Sequence, residues 1–311
     1  MFIKKIFNHF RKKRIKKMIF LIGMPKCRTT SLTSYLIKKY EYYLPEDKFE
    51  PHIFGDEKKI TKFTNSLKRE GAYIDGSQSY ILNPSAYYNI LKTVENPIFI
   101  FSFRDYSERF FSHWEYFFKF ANLYYAEINK IPSAFQPQNR NYVSKAEKIQ
   151  IENYLKNEDL NLSKISYLFF QHIIIQNSNI DKNIFFEIEK ELKKGPLNFF
   201  NYEMKYYIKN KKFIPYCSIL AFNYYGHNIE YFIKILKKLR FKLPKIYYAD
   251  FDDNKIDIPN ETKTIEPDME KLNVNKNDLN KDIPKINQFF KDDQNIINKL
   301  IEEKLIKKIS S

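Results

Sequence analysis

The sequence predicts an α/β fold in which a parallel sheet is flanked by helices. Three apolar stretches, at residues 17–23, 97–103 and 245–248, have the composition and length of buried strands. Helical spacing of apolar and aromatic residues follows the first two, over residues 29–40 and 105–120. Because strands that alternate with helices pair in parallel, we expect one parallel sheet.

Shorter patterns predict the remaining elements. Residues 72–75 are expected to form a short strand, and residues 84–93 a helix with proline in its first turn. Residues 144–239 read almost wholly as helix, which predicts a helical insertion in the middle of the chain. The polar residues 250–280 are expected to form a loop, and residues 289–308 a final helix.

Length and composition bound the domain count and the partners. A chain of 311 residues with 43% hydrophobic residues can form one large domain, and we predict a single domain over residues 18–311. The formal net charge of +16 favours anionic partners such as nucleic acid, acidic glycans, lipid headgroups or nucleotides. No nucleic-acid motif accompanies the charge, so nucleic-acid binding is not predicted.

The basic lead-in over residues 1–17 carries eight Lys or Arg residues and no acid. Ile3, Ile6, Phe7 and Phe10 recur at helical spacing, so the segment is either an amphipathic helix on an anionic membrane surface or a solvated lead-in. Two distant cysteines and the lack of a long apolar stretch predict a cytoplasmic protein without a metal site, with peripheral membrane contact as the alternative.

The stretch IGMPKCRTTSL, residues 22–32, links the first predicted strand to the first helix. Unpaired N–H groups at the start of a helix carry partial positive charge. Lys26 adds a full charge, and Thr29, Thr30 and Ser31 add hydroxyl donors, so the stretch suits an anion with tetrahedral oxygens. Neither G-x-x-x-x-G-K-[ST] nor G-x-G-x-x-G is present, and a plain strand-to-helix turn is the alternative.

A second candidate for phosphate binding follows the strand at residues 97–103. Arg104 stands where that strand ends, which is where ligands bind in α/β sheets. Ser112 follows about two helical turns later, so a guanidinium and a hydroxyl can clamp one phosphate. The alternative is a surface ion-pair network of arginine with Asp105 and Glu108.

In chain order, five segments resemble PAPS-dependent sulfotransferases, most closely the heparan-sulfate and carbohydrate type. Residues 22–32 resemble the 5'-phosphosulfate loop, and residues 49–54 (FEPHIF) resemble the stretch K-E-P-H-F-F. Residues 75–80 (DGSQSY) resemble E-K-S-P-x-Y. Residues 98–116 resemble the motif that binds the 3'-phosphate, and residues 225–250 the family's late helix and strand.

The resemblance implies a P-loop-like sheet and transfer of a sulfuryl group from PAPS (3'-phosphoadenosine 5'-phosphosulfate) to a carbohydrate hydroxyl or amine. Glu50 would be the general base, Lys26 would neutralise the leaving group, and His52 would be a rival base or pack beside Glu50. No metal is required. The implied PAPS-binding residues are Lys26, Cys27, Arg28, Thr29, Thr30, Ser31, Arg104 and Ser112.

The chain departs from the family pattern at four positions. Arg28 replaces a loop glycine, which costs roughly 1–2 kcal/mol if φ is positive there. Tyr106 and Gln78 replace prolines and are expected to alter only local stiffness. Gly76 replaces a lysine, so the acceptor is expected to differ from heparan-type glycans. The alternative function is a degenerate sulfotransferase fold that binds a nucleotide or an acidic glycan without catalysis.

Overall fold

A computed structural model describes most of the chain. The described residues are 15–55, 57–67, 71–82, 84–128, 182–210, 213–214, 218–238, 242–250 and 276–309. Most of the basic lead-in therefore lies outside them, and its role at a membrane surface stays a prediction. The predicted helical stretch over residues 144–239 lies outside them as far as residue 181.

The elements follow one another in this order along the chain. The strands are β1 (Ile15–Leu21), β2 (Tyr73–Asp75), β3 (Val94–Phe103), β4 (Lys245–Asp250) and β5 (Lys307–Lys308). The helices are α1 (Thr29–Tyr40), α2 (Glu57–Ser66), α3 (Pro84–Thr93), α4 (Tyr106–Ile128), α5 (Lys182–Lys193), α6 (Pro196–Asn210), α7 (Ile219–Asn223), α8 (Tyr225–Lys238), α9 (Lys276–Phe289) and α10 (Lys291–Glu302). Two short 3-10 turns cover Pro45–Asp47 and Gln78–Leu82.

The strands form one five-stranded sheet in the order β2-β1-β3-β4-β5, and each of its pairings is parallel. The predicted α/β class with a parallel sheet is thus confirmed. Met18 in β1 pairs with Tyr73 on one side and with Pro97 on the other. The chain runs from β1 to β2 on one side of β1 and then to β3 on the other side. The strand order therefore reverses between β1 and β3, and sheets of this kind bind ligands in the crevice at the carboxyl ends of the strands where the order reverses.

Both faces of the sheet are covered, as in other parallel sheets. Ile19 and Leu21 point to one face, where they pack with Leu32 and Leu36 of α1. Met18 and Phe20 point to the opposite face and belong to the larger core. The alternation along β1 therefore places α1 on one side of the sheet and most of the aromatic core on the other.

The C-terminal region differs from the prediction of a loop followed by one helix. Residues 276–280 already belong to α9, and α10 ends before a left-handed residue, Lys304, with φ of 57°. Lys307 and Lys308 then pair with β4. Helix α9 was not predicted because its apolar residues are few and widely spaced. It packs mainly against α4, which lies far away in the sequence. Among the described residues, no helix is both long and apolar enough to cross a membrane.

The carboxylate of Asp293 joins three helices. It is fully buried and accepts hydrogen bonds from the Tyr106 hydroxyl (2.9 Å) and from the backbone N–H groups of Gly226 (2.8 Å) and His227 (2.9 Å). An acidic group at the start of α8 also complements the helix dipole. Tyr106 therefore does more than alter local stiffness, since it ties the start of α4 to α10.

Replacing Asp293 with alanine should lower the free energy of unfolding by about 3 kcal/mol, because several buried donors lose their acceptor. The neighbouring Asp292 is exposed, and Asp292→Ala should cost less than about 1 kcal/mol. Urea unfolding of both variants measures the difference. Equal losses for the two alanine variants would contradict the anchoring role of Asp293.

Candidate functional site

The loop that connects β1 to α1 crosses directly over the end of β3. A Cβ atom on Gly23 would lie 2.5 Å from the backbone nitrogen of Ser102 and 2.6 Å from its Oγ. Only glycine allows this close approach. The loop is thereby held between the carboxyl ends of β1 and β3, where ligands bind in α/β sheets.

Two residues of this loop adopt left-handed backbone conformations. Lys26 has φ of 69° and Arg28 has φ of 54°. Arg28 therefore has the positive φ whose cost was estimated from the sequence. Lys26 has a second positive φ that was not predicted, and each of the two costs roughly 1–2 kcal/mol. The Arg28 side chain is exposed, and the Arg28 carbonyl accepts the N–H of Leu32 (3.0 Å) to begin α1.

The fully buried guanidinium of Arg109 supports the loop from inside. Its Nε donates to the carbonyl of Pro25 (3.0 Å), and another of its nitrogens donates to the carbonyl of Ile219 (3.0 Å) and to the side-chain oxygen of Asn223. The third nitrogen lies 2.7 Å from Nδ1 of His113, which must accept because a guanidinium only donates. Burial lowers the pKa of Arg109.

The ammonium group of Lys26 lies over the ring of Tyr116, 3.8 Å from its centroid. A cation and an aromatic face attract each other at this distance. Tyr116 belongs to α4, and Ser112 lies one helical turn before it on the same side of that helix. Helix α4 therefore connects the loop with the region around Ser112.

A cavity of about 280 Å³ lies on this side of α4. It is lined by Arg104, Glu108, Phe111, Ser112, Trp114, Glu115 and Pro196. The structure thus brings Arg104 and Ser112 to one cavity, as the clamp requires. The Nε of Arg104 also donates to Glu108 (2.8 Å), so the alternative ion pair is present as well and occupies one of the guanidinium's five N–H groups.

The side chain of Gln78 connects Glu50 with the start of α1. Its Nε2 donates to Oε1 of Glu50 (3.0 Å) and to Oγ1 of Thr29. On the other side of Glu50, Oε2 lies 3.7 Å from Nε2 of His52. Gln78 was expected to affect only local stiffness, and this polar link had no signal in the sequence.

Hydrogen bonds fix the segment that carries Glu50 and His52 over the end of β2. The N–H of His52 donates to Oγ of Ser77 (2.9 Å), and that of Phe54 donates to the hydroxyl of Tyr80 (2.9 Å). The carboxylate of Asp75 in turn accepts the N–H of Ser77 (2.9 Å) and the Tyr80 hydroxyl (3.0 Å). Asp75 is therefore a buried support for the segment.

Gly76 has a structural reason for being glycine. Its N–H donates to the carbonyl of Phe49 (2.8 Å), and a Cβ atom would lie 2.8 Å from that same oxygen. A lysine here, as in the family pattern, would push away the backbone next to Glu50. Glycine at position 76 therefore removes the lysine charge of the family pattern and keeps the backbone beside Glu50 in its place.

The electrostatic environment separates Glu50 from His52. Desolvation and then the charge of Asp75 raise the pKa of Glu50, and the charge of Lys26 opposes this rise. Desolvation, with a contribution from Lys59, lowers the pKa of His52 to about 4. His52 is neutral at pH 7, so its contact with Glu50 is not an ion pair there. Burial raises the pKa of Asp75 to about 6.

The other predicted loop residues take different positions. Cys27 is fully buried, with Sγ 3.5 Å from the Tyr225 hydroxyl, and its N–H donates to the carbonyl of Met24 (3.2 Å). Thr29 is buried, Thr30 is exposed and Ser31 is half-buried. The side chain of Cys27 therefore packs in the core, whereas the hydroxyls lie at the start of α1.

Comparison with protein-family models, curated proteins and solved structures finds no match for this chain. Within the described ranges, no group of three or more His, Cys, Asp or Glu residues is placed to hold a metal ion. We therefore infer the function from the side chains around the loop and on α4.

Replacing Arg109 with methionine should lower the free energy of unfolding by about 3 kcal/mol, since it leaves the carbonyl of Pro25 and the buried carbonyl of Ile219 without their donor. Arg104→Met is the matched control. It removes a partly exposed ion pair and should cost about 1 kcal/mol or less. Thermal and urea unfolding compare the two, and a larger loss for Arg104→Met would refute the supporting role of Arg109.

Proposed function

We propose that the chain is a PAPS-dependent sulfotransferase with a P-loop-like sheet, acting on a hydroxyl or amino group of a carbohydrate. The observation that carries the proposal is the position of Glu50. Its carboxylate is linked through Gln78 to the first residue of α1, beside the loop that carries Lys26. A candidate base thus lies next to a candidate anion-binding loop at the carboxyl ends of the strands.

Two anion-binding regions suit a donor with two separate anionic groups. Lys26 and the start of α1, with the hydroxyls of Thr29, Thr30 and Ser31, would hold the 5'-phosphosulfate. Arg104 and Ser112 would hold the 3'-phosphate in their shared cavity. Tyr116, under Lys26, and Ser112 are about 6 Å apart along α4, which supports one ligand reaching both regions.

Glu50, His52 and Lys26 have different roles in the proposed transfer. PAPS, when bound, supplies an activated sulfuryl group. Glu50 takes the proton of the acceptor hydroxyl or amine, and its raised pKa makes it a stronger base than an ordinary carboxylate. The pKa of about 4 makes His52 the weaker base. Lys26 offsets negative charge that develops on the leaving group.

The surroundings of Glu50 bear on the acceptor. Phe49, next to Glu50, is 40% exposed, and an exposed aromatic residue suits the apolar face of a sugar. Gly76 brings no charge to this side. These features favour a carbohydrate acceptor that differs from the highly anionic heparan type. We further propose a cytoplasmic location, with residues 1–17 contacting an anionic membrane surface.

A second candidate function is nucleotide or acidic-glycan binding without turnover. The departures from the family pattern at Arg28 and Gly76 favour it. Arg28 places a side chain where the loop has a positive φ, and Gly76 leaves the side of Glu50 without the lysine of that pattern. Transfer of a sulfuryl group to an acceptor separates the two functions.

3',5'-Adenosine diphosphate should raise the melting temperature, because it binds only the folded chain. Saturation at 100 times Kd corresponds to about 2.7 kcal/mol of added stability. Arg104→Met should remove most of the shift while leaving the unliganded melting temperature nearly unchanged. Differential scanning fluorimetry with 5'-AMP and ATP as controls measures this. Equal shifts with nucleotides that lack a 3'-phosphate would contradict PAPS as the donor.

Glu50→Gln should cut sulfuryl transfer from labelled PAPS to a panel of glycans by about 10²–10⁴-fold, because it keeps the size and removes the basicity. Binding of 3',5'-adenosine diphosphate should be nearly unchanged. His52→Ala should cost less. Loss of turnover in His52→Ala with mild loss in Glu50→Gln would make the histidine the base. Donor binding by a wild-type chain that transfers to no acceptor would favour the second function.

A further inference from the structure

The amide of Gln78 joins parts of the chain that are distant in sequence. Its partner Glu50 is 28 residues away, and its partner Thr29 is 49 residues away. An amide nitrogen carries two hydrogens, so these two bonds use its full donor capacity. Replacing Gln78 by the proline of the family pattern would abolish both bonds.

The bond to Thr29 also determines what the threonine hydroxyl can do. A hydroxyl has one hydrogen to donate and two lone pairs that accept. Because Oγ1 accepts from Gln78, its own hydrogen must point to a different group. Thr29 is only 4% exposed and is the first residue of α1, so this hydrogen lies where the loop meets the helix.

The bond to Glu50 holds one oxygen of the carboxylate on the side of the loop, while the second oxygen lies near His52. The other charged groups that act on this carboxylate are Asp75 and Lys26, with opposite effects. A hydrogen bond to a carboxylate stabilises its charged form. Gln78 therefore works in the same direction as Lys26.

We propose that Gln78 is a positioning residue that couples the anion-binding loop to the general base. It holds the Glu50 carboxylate at the start of α1 and directs the Thr29 hydroxyl towards the bound anion. The role as a coupling between donor and base rests on the proposed sulfuryl transfer. Position 78 thus has a role in this chain that the proline of the family pattern could not have, since proline has no side-chain donor and only stiffens the turn.

The test compares Gln78→Met, which keeps the length and removes both donors, with Gln294→Met, which loses an exposed contact on α10. Without the donor, the charged form of Glu50 is less stable and its pKa rises. The acidic limb of the kcat/KM profile should therefore move to higher pH in Gln78→Met, with at least a tenfold lower rate at pH 7. Gln294→Met should match the wild type, and an unmoved limb in Gln78→Met would overturn the proposal.

A titration by ¹³C NMR of the Glu50 carboxyl carbon gives a readout that needs no turnover. Gln78→Met should titrate at higher pH than the wild type, and Gln78→Glu, which sets a like charge beside Glu50, at higher pH still. If the wild type transfers no sulfuryl group but these shifts occur, the proposed function fails and the link between Gln78 and Glu50 stands. Identical titrations in an active enzyme would overturn the link and leave the proposed function intact.

Binding of 3',5'-adenosine diphosphate tests the other end of the link. Thr29→Val and Gln78→Met should each weaken binding severalfold, and the double variant should be no weaker than the poorer single variant, because both remove one shared interaction. Independent, multiplying losses would show that Gln78 does not act through Thr29. Melting temperatures of all variants identify any that is not folded, and Gln78→Ala, which also removes both donors and adds no charge, then replaces Gln78→Met in the comparison.

Discussion

The buried guanidinium of Arg109 is the interaction on which the candidate site depends. It holds the carbonyl of Pro25 in the loop, the carbonyl of Ile219 at α7 and the ring of His113 on its own helix. A buried cation that lacked such acceptors would cost several kcal/mol. The loop, with its two left-handed residues, is therefore held in shape by the core before any ligand arrives.

The carboxyl groups of the chain have different roles according to how deeply they are buried. Asp75 and Glu203 are fully buried and surrounded by donors, and burial raises their pKa to about 6 and about 8. Glu50 keeps a side chain that is 43% exposed, although its pKa is raised as well. A carboxyl group thus stabilises the fold where it is buried and stays accessible to solvent where it lies at the surface.

Local patterns predicted the parts of the fold that depend on near neighbours in the chain. The bounds of α1 and α3 coincide with the prediction, because apolar spacing and an initial proline are local signals. Sequence order also placed Arg104 and Ser112 at one cavity. The links of Gln78 and of Asp293 could not be predicted, because each joins residues far apart in sequence and has no periodic pattern.

The cavity beside Arg104 contains the chain's single tryptophan, Trp114, whose indole N–H donates to the carbonyl of Leu192 (3.0 Å). All tryptophan fluorescence of the protein therefore originates at the wall of this cavity. The buried indole emits from an apolar environment, and a charged group entering beside it changes the local field. The protein thus carries an intrinsic optical reporter at the cavity that we propose for the 3'-phosphate of PAPS.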